Sequence, residues 1–185
     1  MSTREIALLE QLGAHVTSHS RRTLIEHLRG THHLLEEWGN PPHVCAAGLF
    51  HSVYGTYVFD KQSADMSMRE RIREVIGGDA EWLVYVFCVT DRRCFYDHLG
   101  ESRFLLRDMV HARELELERD TLAALIEIEV ANMIEQIPRR SRKKALRATE
   151  FYSQAFARSQ DYISTPALEA ARACFARVRS PEVEA

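Results

Sequence analysis

Ala46-Ala47-Gly48-Leu49-Phe50-His51-Ser52-Val53-Tyr54-Gly55-Thr56 sets one histidine inside an almost wholly apolar segment and closes the segment with a glycine. An imidazole in such surroundings costs free energy unless something binds it, so His51 points to a site. Upstream of it, Val44, Cys45, Ala47, Gly48, Leu49 and Phe50 leave no polar face, and Pro42 suits the first turn of a helix. This segment is predicted to be the central, most buried helix. Gly39-Asn40-Pro41-Pro42 stops the helix before it, predicted over about 22–38 with Leu24, Leu28, Thr31, Leu35 and Trp38 on its core face. So short a connection makes the two helices antiparallel neighbours. On the first of them His27 shares a side with Leu24, Thr31 and Leu34.

Outward from this pair, apolar residues keep helical spacing nearly everywhere and strict alternation is rare, which predicts an all-α fold. One domain is expected over 1–185, with a core at about 19–137 and C-terminal helices at about 141–178 packed on it. A first helix is expected over 3–18. Ser67 and Glu70 have capping-box spacing for a helix that ends at Gly77-Gly78. Residues 80–90 are β-branched enough for a strand, but their helical flanks and Gly-Gly-Asp start favour a helix. Residues 94–106 read as irregular. The alternating Glu114-Leu115-Glu116-Leu117-Glu118 is read as a charged helix face, because its flanks continue in helical period. Residues 120–137 form a strong amphipathic helix.

Composition bounds the function. The chain has 185 residues, 45% hydrophobic and 28% charged, with a formal charge of -3, so no global charge recruits nucleic acid or an anionic membrane. No apolar run approaches the ~20 residues of a membrane span, and the signal-peptide pattern is absent. A cytoplasmic protein with a small-molecule partner and no membrane or nucleic-acid partner is expected, with homo-oligomerisation left open. Cys45, Cys88, Cys94 and Cys174 show no CxxC spacing, and Cys45 and Cys88 fit buried reduced thiols. The basic run Arg139-Arg140-Ser141-Arg142-Lys143-Lys144, extended by Arg147, has little aromatic interleaving and reads as a solvated helix start.

The site follows from geometry. His27 and His51, on facing helices, can converge on one ion, and Asp91, where an apolar helix exits into a charged loop, supplies a carboxylate. His27, His51 and Asp91 are therefore the expected metal ligands, a set that leaves open positions on iron, manganese or zinc. The plainer reading of His27 is a core-edge histidine satisfied by a hydrogen bond. Arg92 and Arg93 would meet an anionic substrate, or else be a solvated helix end favoured by the helix dipole. Tyr54, Thr56 and Tyr57 are candidates to position substrate, and His98 and His111 to close the pocket. Glu129, Asn132 and Glu135 are alternative pocket-facing groups on a later helix. His32 and His33 point about 100° apart and are expected at the surface.

The order of His27, then His51-Ser52 ending an apolar helix, then Asp91 ending another resembles the HD-domain superfamily of metal-dependent phosphohydrolases, from about His19 to Arg93. His27-Leu28 through Leu35 and Gly39, followed by Ala46 to His51, is similar to its alarmone-hydrolase branch. Gly48 to Thr56 also resembles a subgroup of short bacterial HD-like proteins. The resemblance implies a helical bundle, a divalent metal and phosphoester hydrolysis by metal-bound water, with His51, Ser52 and Asp91 as catalytic candidates. Two alternatives come with it: an iron-dependent oxygenase of the same fold, and an HD-like binding or scaffold protein without catalysis. Ser52 stands where the superfamily carries its aspartate. A neutral hydroxyl binds hard ions weakly, so a mononuclear or empty site is expected.

Overall fold

A computed structural model of the chain describes residues 1–19, 22–56, 62–97, 99–101 and 103–180; the candidates Tyr57 and His98 lie outside them. The fold is mostly helical, with two small two-stranded sheets.

Helix α1 covers Thr3–Gln11, opened by Ser2 and Glu5 in a capping box. It ends well short of Ser18, because Gly13 turns the chain with a φ of 76°. Ser18–His19 (β1) then pairs antiparallel with Arg22–Thr23 (β2). Helix α2, Leu24–Glu37, starts where Glu26 accepts hydrogen bonds from the Thr23 backbone N–H (2.8 Å) and hydroxyl (2.7 Å). Helix α3, Pro42–Phe50, is buried from Val44 to Phe50, as its apolar composition predicts. The two helices touch through Gly48, where a Cβ would sit 2.2 Å from Leu35 Cδ1.

Asp65, rather than Ser67, caps the next segment, accepting from the Ser67 N–H at 2.7 Å. A short 3-10 turn leads from there into α4, Arg69–Ile76. Gly77 (φ 87°) separates α4 from α5, Gly78–Val89, which is a helix and is buried almost throughout. Helices α6 (Arg119–Gln136), α7 (Arg142–Arg158) and α8 (Thr165–Arg179) follow close to their expected bounds. Helix α6 is buried over most of its length and, with α3 and α5, forms the centre of the core.

The helix expected through Glu114–Glu118 is a β-hairpin. Phe104–Asp108 (β3) pairs with Arg113–Leu117 (β4) in the register Phe104↔Leu117, Leu106↔Leu115, Asp108↔Arg113. Phe104, Leu106, Leu115 and Leu117 are buried, while Glu114 and Glu116 face out. Two-residue alternation with one buried face is the strand signature, and here it outweighs the helical flanks. Residues 92–96, read in part as irregular, form a 3-10 helix capped by Asp91.

Candidate functional site

His27 projects from the first turn of α2 and His51 caps the end of α3, and both are buried. Their Nε2 atoms lie 3.1 Å apart. Each ring is fixed from its other nitrogen. His51 Nδ1 is 2.7 Å from the Gly48 carbonyl, which can only accept, so that nitrogen carries the proton. His27 Nδ1 bonds to the carboxylate of Glu135 on α6, which is also paired with Arg22 and lies 3.8 Å from Arg139. That carboxylate too can only accept. Room for it exists because Gly30 faces it: a Cβ there would stand 2.9 Å from Glu135 Cγ.

Both Nε2 atoms therefore present lone pairs to each other. A proton between them would resolve the contact, but burial disfavours it. Burial, reinforced by the neighbouring His51, His19 and Arg22, pushes His27 far below its ordinary value. Burial takes His51 down to about 3, against the Gly48 carbonyl. At neutral pH the pair is two neutral acceptors.

The pair opens into a cavity of about 230 Å3. His19, stacked on His27 with ring centroids 4.4 Å apart, and Ser52 form one side; Thr56, Arg92, Asn132, Gln136 and Arg140 border the rest. The Ser52 hydroxyl is buried and meets no hydrogen-bond partner among the described residues. Asn132 lies beside both imidazoles, donates to Glu129 (2.8 Å) and accepts from Gln136 (2.5 Å). Arg92 is bonded to Glu129 at 2.8 Å and sits over the Phe87 ring. Burial works against its charge, but Glu129, Tyr152 and Tyr96 together raise its pKa. Tyr152 completes the cradle by donating to Glu129.

Of the sequence candidates, the structure brings His27, His51, Ser52, Thr56, Arg92 and Asn132 to one cavity. Asp91 is turned away: it caps the 3-10 helix through the Arg93 N–H (3.1 Å) and pairs with the Arg93 guanidinium. The expected His27, His51 and Asp91 set is thus not assembled, because a carboxylate at the start of a helical turn is captured by that turn and by its own arginine. No three His, Cys, Asp or Glu side chains form a metal-ligand group among the described residues. Arg93 is exposed, away from the cavity lining. Tyr54 donates to the buried Glu81 (3.1 Å) and borders a neighbouring cavity that shares Thr56. His111 belongs to a cluster with Asp108 of the hairpin and Tyr85 of α5. His32 is buried, against expectation, while His33 is exposed. Sequence reading missed His19, Gln136 and Arg140. For Gln136 a signal existed, since Glu129, Asn132 and Gln136 recur at helical spacing on α6.

A comparable groove of about 260 Å3 between α7 and α8 is lined mainly by Phe156, Leu168, Phe175 and alanines, with Arg172 and Arg179, and carries no acid, imidazole or thiol.

Residues 8–92 match a family described as a domain of unknown function (DUF6817), a span that holds both histidines and ends at Arg92. No curated protein and no solved structure matches the chain.

Proposed function

We propose that the chain is a metal-dependent enzyme acting on a small anionic metabolite, with one ion held by His27 and His51. The observation that carries this reading is the pair of facing Nε2 lone pairs, each ring oriented by an acceptor at Nδ1. Metal-binding imidazoles are held in this way by a carboxylate or carbonyl behind them. The donor set is two imidazoles, with Asn132 and the Ser52 hydroxyl as neutral oxygen donors. Such donors suit zinc or iron(II) better than manganese or magnesium, which favour carboxylates. A divalent ion with neutral ligands supplies Lewis acidity and a bound water of lowered pKa, the chemistry of hydrolysis. Arg92 and Arg140 hold the anion, Glu129 keeps Arg92 charged and aimed, and Glu135 keeps the His27 proton on Nδ1.

A second reading, a ligand-binding protein without turnover, has its own support. Both carboxylates near the cavity are occupied: Glu129 by Arg92, Asn132 and Tyr152, and Glu135 by His27 and Arg22. Neither is placed as a free general base. An iron pair would need a second ligand group, and none is gathered among the described residues.

The test is metal content per chain after purification without chelator and after reconstitution with iron(II), manganese or zinc. One ion per chain is expected, favouring zinc or iron, and it should be lost in His51→Gln with the fold retained. Wild-type protein that holds no ion under any of these conditions would leave the ligand-binding reading.

A further inference from the structure

The C-terminal segment carries a charge pattern that the histidine cavity alone does not use. Between positions 139 and 185 there are ten arginines and lysines against five acidic residues, in a chain whose overall charge is -3. Part of this charge lines a second groove of about 370 Å3, formed where the end of α6 and the turn after it meet α7 and α8. Its floor includes Ile137, Ala145 and Val178, and its charged side chains are Arg140, Arg177 and Arg142, which donates to the Ser180 carbonyl at 3.2 Å, a bond that uses one of the several N–H groups of its guanidinium. No carboxylate lines it among the described residues. Arg140 borders this groove and the histidine cavity alike. It is held at the boundary by Gln136, whose side-chain oxygen accepts from it at 3.1 Å and whose amide bonds Asn132 beside the imidazoles.

We infer that the ligand of the histidine cavity carries a second anionic group, seated in the Arg140–Arg142–Arg177 groove. The occupant is a polyanion of linked anionic groups spanning both cavities, not a lone oxyanion. This rests on the reading of the histidine cavity as the ligand site. Guanidinium forks match phosphoryl and carboxylate oxygens, and two anchors on one ligand add through effective concentration. A lone anion can use only one anchor. The surrounding positive charge steers either kind of anion, so specificity lies in the groove and not in the net field.

Calorimetric titration with orthophosphate, tripolyphosphate and citrate tests this on wild type, Arg142→Gln/Arg177→Gln, and Lys143→Gln/Lys144→Gln. The last variant removes the same charge from exposed residues that line neither cavity. Wild type should bind tripolyphosphate or citrate at least about tenfold more tightly than orthophosphate; which of the two gains tells condensed phosphate from polycarboxylate. In the arginine variant that gain should collapse, tripolyphosphate or citrate then binding no more tightly than orthophosphate, and in the lysine variant it should persist. Equal binding of all three anions, no binding of any, a gain that survives the arginine variant, or one lost equally in the lysine variant would overturn the inference. Metal content is read on the same samples. A gain that depends on the arginines in protein that takes up no metal would refute the enzyme reading alone; stoichiometric metal without the gain would refute only the second anchor.

Discussion

Glu135 fixes which nitrogen of His27 bears the proton, and through that it fixes what the pair can hold. A glutamine there keeps the volume but can donate as well as accept, so it no longer enforces the tautomer. Glu135→Gln is expected to weaken zinc binding by about 10- to 100-fold in a competition titration, with an unchanged helical spectrum. Unaltered affinity would show that the carboxylate does not orient the ligand. Gly30→Ala probes the same contact from α2. Alanine gains about 1 kcal/mol of helix propensity, which offsets the crowding of Glu135, so global stability should change little while zinc affinity falls. Affinity and stability falling together would point to a general packing defect. His51 and His27 were legible in the sequence because each interrupts an apolar face. Asp91 was misjudged because sequence position alone does not show a carboxylate folding back onto its own turn.

At the scale of elements, the α2–α3 contact has almost no slack. A methyl group at Gly48 would meet Leu35 Cδ1, so Gly48→Ala is expected to cost about 1–3 kcal/mol in denaturant unfolding. A neutral result would mean that the helices separate easily. Between α4 and α5, Glu81 is buried and clasped by Arg69 at 2.6 and 2.9 Å, with Tyr54 and Arg73 completing its shell. The hairpin is tied to α5 differently. Burial works against the charge of Asp108, yet hydrogen bonds from Tyr85, His111 and Arg113 hold its carboxyl far below the ordinary range. Because the folded pKa is depressed, this stabilisation is present above the unfolded value of about 4 and fades as pH falls below it. Asp108→Asn should therefore flatten the decline of the thermal midpoint between about pH 5 and pH 2; parallel acid limbs would contradict this. The hairpin was hidden in the sequence because Leu115 and Leu117 alternate with glutamates for only a few residues. A short alternating run inside helical flanks fits both periods until its pairing partner is known.

For the whole molecule, the two histidines and five of the other residues that line their cavity sit in the first half of the chain, and Asn132, Gln136 and Arg140 close it from the second. Asn132, Gln136 and Arg140 reach it because α6 packs across α2 and α3, a long-range contact with no local signature. Apart from α1, which stops at Gln11 where Gly13 turns the chain, the helices are legible close to their ends, since each buries a face or a whole circumference whose period is written in the chain. The basic C-terminal run read as a solvated helix start. It does begin α7, with Arg142, Lys143 and Lys144 exposed, but Arg140 also borders two cavities and Arg142 one of them. No helix among the described residues is long and apolar enough to cross a membrane.

The central claim is that two neutral imidazoles turn their lone pairs toward one point, and nitrogen-15 NMR of the histidine rings tests it most directly. On metal-free protein at pH 7, His27 and His51 should both show a protonated Nδ1 and a bare Nε2, and added zinc should shift both Nε2 signals together. One ring protonated at Nε2 and donating to the other, unmoved by zinc, would show that the pair is a structural hydrogen bond instead of a site.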